Sequence, residues 1–315
     1  MDVLTQVILV VSLHDARMLR HCAIWARMTV PLPVGKSADG RRGSCLMATG
    51  IDTTRPNVAR VYDYLLGGFE SFNADREQAA RLLRICPSLG IVALENRYFL
   101  ARAVTWAARQ GITQFVDLGA GAPVQKATTG VLEDTHATAQ TASPSARVAY
   151  VDNDPVVLAR SRVFRARSRG VAVTAADLTD PDSVLADRRL RAVIDLTQPA
   201  CFIFGLALSL VPASRARNVV AGYARRAAPG SCMVISCGRC DDEALWSQLR
   251  DAFTAAEVHN HTPTEIERFL GGLELVAPGL VAAQTWRGGW NDVSSTPPDS
   301  VYVLGGIARK AQGSR

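Results

Sequence analysis

Three acidic residues each come at the end of a short apolar run of the sequence. Asp117 lies at the end of the first run, Asp152 follows the second, and Asp177 follows the third. The apolar runs alternate with longer helical patterns, which predicts a parallel sheet covered by helices on both faces. Ligands of such sheets bind beyond the carboxyl ends of the strands. We therefore expect the three carboxylates to line one binding site.

A turn with little side chain, Gly-Ala-Gly at residues 119–121, follows the first acid. Residues of this type let a ligand approach the backbone closely. A carboxylate at Asp152 can accept hydrogen bonds from both hydroxyls of an adenosine ribose, and one at Asp177 can accept a hydrogen bond from an adenine amino group. The predicted cofactor-binding residues are Asp117, Gly119, Ala120, Gly121, Asp152, Asn153, Asp177 and Leu178.

The same turn distinguishes between two classes of cofactor. A pyrophosphate cradle requires the pattern G-x-G-x-x-G running into a helix. Here Gly121 is followed by Ala-Pro-Val-Gln, without a third glycine. S-adenosylmethionine has no phosphate, so a turn that permits close approach beside Asp117 is sufficient for it. We predict S-adenosylmethionine as the cofactor; selective binding of NAD would instead favour an oxidoreductase.

These residues require a particular set of elements to position them. The predicted strands lie at residues 114–118, 147–151, 171–175, 200–206, 232–236, 273–276 and 301–307. Helical spacing of apolar residues covers residues 155–168, 181–191, 214–227 and 241–256. This alternation predicts the α/β class.

Ahead of the sheet, three helical patterns cover residues 58–66, 75–85 and 92–109, and Thr53 or Thr54 can cap the first. We divide the chain into an extension at 1–46, a helical cap at 47–111, a cofactor-binding domain at 112–310 and a tail at 311–315. The extension lacks periodicity, so we expect it to be poorly ordered, or not translated if Met47 is the start.

Composition excludes several classes of protein. The net charge is only +6, and we interpret the arginines of residues 160–169 as a solvated helix face, not as a nucleic-acid surface. The apolar run at residues 7–13 is too short to span a membrane. Seven cysteines without framework spacing fit a reducing cytoplasm, and Cys237 and Cys240 have no nearby partners for a metal. The sequence gives no indication of an oligomeric state.

Several long motifs resemble the actinobacterial S-adenosylmethionine-dependent methyltransferase family that was formerly a domain of unknown function. They lie at residues 51–68, 74–77, 95–100, 150–155, 176–178 and 269–281. The resemblance covers residues 49–310. It implies a Rossmann-like class I methyltransferase with a mostly parallel seven-stranded sheet, an antiparallel last strand and an N-terminal helical cap.

The chain also departs from the pattern of that family. Residues 69–71 are Phe-Glu-Ser where Lys-Asp-Asn is usual, the loop at 125–134 differs, and Ser209 replaces a common histidine. A hydroxyl does not titrate near neutral pH, so Ser209 cannot replace the proton chemistry of an imidazole. Two functions remain open: a methyltransferase acting on a small molecule, and a cofactor-binding regulatory protein with little or no turnover.

The helical cap supplies candidates for a lid or a substrate contact. Arg97 can form a salt bridge to the cofactor carboxylate, or it can have a surface or capping role. For the tyrosines of the cap, core packing is the favoured interpretation. No catalytic base is assigned, because in-line methyl transfer can proceed by positioning alone. The candidate lid or substrate residues are Tyr62, Tyr64, Gly67, Gly68, Arg97 and Ser209.

Overall fold

The computed structural model describes residues 52–124, 133–288 and 300–312. The predicted extension at 1–46, the start at Met47 and most of the loop at 125–134 lie outside the described residues, as does the end of the tail.

A mixed sheet forms the centre of the described structure. The strands are β1 Gln114–Leu118, β2 Arg147–Asp152, β3 Val171–Ala175, β4 Cys201–Gly205, β5 Cys232–Cys240, β6 Glu274–Leu275, β7 Val281–Ala282 and β8 Val301–Arg309. Their order is β3-β2-β1-β4-β5-β8-β6, with β7 also paired to β8. The contacts among β1 to β5 are parallel, and β8 is antiparallel to β5. The predicted α/β fold with an antiparallel last strand is confirmed.

The short strand β6 lies within the predicted sixth strand at 273–276, and β7, which the sequence did not predict, follows it. Both β6 and β7 pair antiparallel with β8, and the chain leaves the sheet between them. Pro278 has no N–H to donate to a ladder, and Gly279 has a φ of +94°, a left-handed conformation that turns the chain. The sheet therefore has eight strands among the described residues, where seven were expected.

Helices cover the sheet and its carboxyl edge. They are α1 Val58–Leu65, α2 Asn73–Ile85, α3 Leu89–Arg109, α4 Thr135–Ala142, α5 Pro155–Phe164, α6 Pro181–Ala186, α7 Arg188–Arg191, α8 Ala213–Arg226, α9 Glu243–Ala252 and α10 Pro263–Phe269. The sequence missed α4 and α10. The first consists mainly of Thr and Ala and lacks an apolar stripe, and the second has only seven residues.

The first helix begins later than its candidate caps. Asn57 caps α1 by accepting from the backbone of Ala59 and Arg60. Thr54 is instead held in a local turn, because its N–H and its hydroxyl both donate to Asp52. Asn57 also donates to the Asp154 carboxylate at 2.7 Å, which ties α1 to the carboxyl end of β2. The prediction of Thr53 or Thr54 as the cap was wrong.

The apolar core has a layer on each face of the sheet and a third cluster at its edge. Alternate residues of β4 face opposite layers, as Phe202 and Phe204 pack on one side and Cys201 and Ile203 on the other. The third cluster joins α1, α2, the start of α3 and α9 beyond the carboxyl ends of β5. These helices therefore form a cap over the edge where the acids lie.

Candidate functional site

A cavity of about 610 Å³ opens at the carboxyl edge of the sheet, between the strands and the cap. Most of the predicted site residues line it. They are Asp117, Gly119, Ala120, Gly121, Asp152, Asn153, Asp177, Leu178, Tyr62, Arg97 and Ser209. The cavity does not include Tyr64, Gly67 or Gly68 in its lining.

The turn after β1 has a backbone that glycine favours. Gly119 has a φ of +71° and Gly121 a φ of +62°, both in the left-handed region. A Cβ on Gly119 would lie 2.9 Å from the Cβ of Ala207 and 3.1 Å from a methyl of Leu178. A larger residue at Gly119 would therefore clash with the far wall of the turn as well as strain the backbone.

The carboxylate of Asp152 holds this turn in place. One oxygen accepts from the N–H of Gly121 at 2.9 Å, and the other accepts from the N–H of Asp154 at 2.9 Å. Burial raises the pKa of Asp152, and the two backbone donors oppose that rise. Each carboxylate oxygen can accept about two hydrogen bonds. Asp152 can therefore accept two further hydrogen bonds from the hydroxyls of a ligand in the cavity.

The other two acids have different surroundings. Asp117 is buried and accepts from the hydroxyl of Thr135 at 2.6 Å. Burial raises the pKa of Asp117, and the Thr135 hydroxyl opposes this. Asp177 is exposed, and one of its oxygens accepts from the N–H of Thr179 at 2.8 Å. Asp117 thus forms part of the base of the cavity, and Asp177 part of its outer rim.

Below the glycine turn lies a buried cation that the sequence did not predict. Arg165 is only 1% exposed, so its interpretation as part of a solvated helix face was wrong. Its guanidinium donates to the carbonyls of Gly121 at 2.9 Å and Ala122 at 3.1 Å, and it lies 4.2 Å from the centre of the Tyr150 ring. It follows the end of α5, where helical periodicity no longer indicates which way a side chain points.

Arg165 forms an ion pair with Asp134 at 2.8 Å. Burial alone would raise the pKa of Asp134, but the guanidinium holds that pKa below its usual range. Asp134 also accepts from the N–H of Val124 at 3.1 Å. The pair therefore fixes both the end of the glycine turn and the chain that leads away from it.

Arg97 extends from α3 towards the glycine turn. One terminal nitrogen is 3.9 Å from the position that a Cβ on Gly121 would occupy, and the guanidinium lies 5.4 Å from the centre of the Tyr62 ring. The Nε of Arg97 is buried and has no hydrogen-bond partner among the described residues. A buried donor without a partner is costly, so this group is suited to an anionic ligand.

The hydroxyl of Tyr62 is used within the cap. It donates to the carbonyl of Ala93 at 3.0 Å and accepts from the amide of Asn96 at 2.9 Å. Burial raises the pKa of Tyr62. Asn96 also accepts from the hydroxyl of Ser236 at 2.7 Å, which connects the cap to β5. Tyr62 therefore contributes a positioned ring face to the cavity.

The residues that end α1 have a local structural role. Gly67 has a φ of +80°, and a Cβ on Gly68 would clash with the carboxylate of Asp63. That carboxylate accepts from the N–H of Glu70 at 2.9 Å. Tyr64 packs against the third apolar cluster. The turn after α1 therefore accounts for the presence of two glycines at these positions.

Beside Ser209 lies a histidine that the sequence did not indicate. The N–H of His259 donates to the carbonyl of Ser209 at 2.8 Å, and the Ser209 hydroxyl accepts from the N–H of Gly238 at 3.1 Å. The His259 ring stacks on His261 with centroids 5.8 Å apart. The Nε2 of His259 is 3.8 Å from a Glu257 oxygen, a distance too long for a hydrogen bond. This nitrogen is buried and has no hydrogen-bond partner among the described residues.

The model of the S-adenosyl methyltransferase family matches residues 45–311. The chain belongs to this family. A crystal structure of a candidate methyltransferase from Thermobifida fusca YX is 35% identical, with 85% of this chain and 100% of that chain covered and a TM-score of 0.76. A DUF574 family protein from Streptomyces avermitilis MA-4680 is 31% identical, with 82% and 99% covered and a TM-score of 0.76. No curated protein matches the sequence.

The cofactor of the family is S-adenosylmethionine, as the sequence predicted. The described residues fit this cofactor in three respects. The glycine turn permits close approach, the half-buried carboxylate of Asp152 can accept from hydroxyls, and the unpartnered nitrogen of Arg97 suits a carboxylate. Within the described ranges, no helix has the length and apolarity needed to cross a membrane.

Proposed function

We propose that this protein transfers a methyl group from S-adenosylmethionine to a small-molecule acceptor. The observation that carries the proposal is the continuity of one cavity. The same cavity is lined by Asp152 and the glycine turn at one end and by Ser209, His259 and apolar side chains of the cap at the other. Donor and acceptor can therefore meet in one cavity, where positioning supplies much of the rate enhancement.

Five of the predicted site residues have these roles in the proposal. Asp152 accepts from the ribose hydroxyls, and Asp177 and Leu178 hold the adenine at the rim. Arg97 pairs with the carboxylate of the methionine part, and Asp117 lies beside that part. When bound, the cofactor supplies a sulfonium methyl group that the acceptor nucleophile attacks in line, with the electron pair of the broken S–C bond remaining on sulfur.

We assign proton transfer to His259 and not to Ser209. An acceptor hydroxyl must lose its proton as its bond to the methyl group forms. A neutral imidazole can take that proton near neutral pH, whereas a serine hydroxyl cannot. His259 lines the cavity, and the Ser209 hydroxyl already accepts from Gly238. The histidine thus compensates in space for the residue that position 209 lacks.

The test is incubation of the purified protein with methyl-labelled S-adenosylmethionine and a small-molecule extract of its source organism. The proposal expects a labelled product and an equal amount of S-adenosylhomocysteine, both strongly reduced with the Asp152→Ala variant at a cofactor concentration below saturation. Tight binding of the cofactor with no labelled product would contradict methyl transfer and would instead indicate a regulatory protein with little or no turnover.

A further inference from the structure

The strand order divides the cavity into two halves. Residues that follow β1, β2 and β3 lie along one half of the carboxyl edge and include the three acids. Residues that follow β4 and β5, together with the start of the antiparallel β8, lie along the other half. The first half holds the cofactor under the proposed function. We call the second the acceptor half.

Apolar side chains from four cap elements line the acceptor half. Leu65 and Phe253 are only half-buried, although they pack against the third apolar cluster, so part of each faces the cavity. A solvated surface would not normally gather so many large apolar groups from separate helices. The apolar residues used here are Leu65, Leu82, Leu89, Trp246, Leu249 and Phe253.

Two arginines line this half. Arg215 extends towards the residues that follow β3, because its guanidinium donates to the hydroxyl of Thr179 at 3.2 Å. The other, Arg239, is already paired. Arg239 donates to the Asp241 carboxylate at 2.8 Å and to the carbonyl of Asn260 at 3.4 Å. The hydroxyl of Tyr302 donates to the other oxygen of Asp241 at 2.8 Å. The guanidinium of Arg239 therefore already has partners within the protein. A charged acceptor would find little compensation for its lost hydration.

We infer that the acceptor half binds an uncharged, flat, ring-containing molecule, such as a phenol, with its hydroxyl directed towards Ser209 and His259. This rests on the proposed function, since it names the acceptor of the same site. Aromatic and aliphatic walls with a few polar groups at one end are typical of sites for such ligands. A sugar or another polyol would lose hydrogen bonds to water that the apolar walls cannot replace.

Calorimetry with a neutral phenol tests this inference without any turnover. 2-Naphthol is titrated into the protein saturated with S-adenosylhomocysteine, and myo-inositol is titrated in parallel. We expect 2-naphthol to bind and myo-inositol not to bind. Phe253→Ala removes an aromatic wall. It should weaken the binding of 2-naphthol about tenfold and leave the affinity for S-adenosylhomocysteine unchanged. Phe164→Ala, at a position that is 54% exposed and outside the cavity lining, is the matched control.

The outcomes separate this inference from the function on which it rests. Binding of S-adenosylhomocysteine without binding of 2-naphthol, equal 2-naphthol affinity in Phe253→Ala, or myo-inositol affinity equal to that of 2-naphthol would overturn the inference alone. Failure to bind S-adenosylhomocysteine would count against the proposed function, and 2-naphthol titrated into the free protein then still decides the acceptor class. If Phe253→Ala does not fold, Leu65→Ala, at the end of α1, provides the same test.

Discussion

The backbone N–H of His259 donates to the carbonyl of Ser209 at 2.8 Å, so two distant segments meet at the border of the acceptor half. Both residues line the same cavity. The unpartnered Nε2 of His259 is consistent with a group kept available for a ligand.

Replacing His259 with Ala should lower kcat for a hydroxyl acceptor by about 100-fold or more, because general base catalysis typically contributes that much. The affinity for S-adenosylhomocysteine, measured by calorimetry, should not change. Added imidazole should restore part of the rate, which a purely structural role would not allow. An unchanged kcat would rule out His259 as the proton acceptor.

Arg97→Ala should weaken the binding of S-adenosylhomocysteine by roughly 10- to 100-fold, since it removes a charge-assisted contact to the ligand carboxylate. 5′-Methylthioadenosine has no amino-acid part, so its affinity should stay the same. Calorimetry with both ligands measures the difference, and Arg84→Ala on the exposed face of α2 is the control. Equal losses for the two ligands would mean that Arg97 supports the cap and does not bind the carboxylate.

Arg165→Met should lower the free energy of unfolding by about 3–5 kcal/mol, because it leaves the Asp134 carboxylate buried without its partner. Adding Asp134→Asn should recover part of that loss, since the uncompensated charge is gone. Urea denaturation of the two single variants and the double variant gives the coupling between them. Strictly additive effects would show that the buried pair does not act as a unit.

Glu95→Gln should stabilise the protein at high pH only. Burial raises the pKa of Glu95 from 4.5 to about 7, with Arg102 opposing the rise. The folded state therefore favours the protonated carboxyl. The resulting contribution to the free energy of unfolding is fully present below pH 4.5 and is lost as the pH rises through about 7. At pH 8 we expect the variant to gain roughly 1–2 kcal/mol, allowing for solvent screening.

Thermal or urea unfolding of wild type and Glu95→Gln at pH 4.5 and at pH 8 checks this prediction. The two proteins should have similar stabilities at the lower pH. A gain of the same size at both pH values would show that the effect comes from packing and not from the ionised carboxyl.

The strands and the acids that follow them could be predicted because their signals are local. Residues 114–118 are buried throughout, and the structure gives β1 the bounds expected from the sequence. Asp154 and Asp180 cap α5 and α6, and each stands directly before a proline, which is typical of the start of a helix. The lining of the cavity by Asp117, Asp152 and Asp177 follows from strand topology alone.

The remaining features depend on tertiary contacts that no local pattern records. Arg165 belongs to a run of arginines that resembles a solvated face, and only its pairing with Asp134 keeps it buried. His259 lies in a segment without helical or strand periodicity, so nothing in its neighbourhood indicates a cavity. The apolar walls of the acceptor half are contributed by separate helices, and each of them taken alone predicts ordinary core packing.

We propose that Asp152 holds the cofactor and the glycine turn together. Calorimetric titration of S-adenosylhomocysteine into wild type and Asp152→Ala tests it most directly, with Asp195→Ala, an exposed turn residue, as the control. The variant loses the acceptor for Gly121 and for two ribose hydroxyls, so we expect its affinity to fall by about 2 kcal/mol or more, roughly 30-fold. An affinity equal to that of wild type would contradict the assignment of Asp152 to the cofactor site.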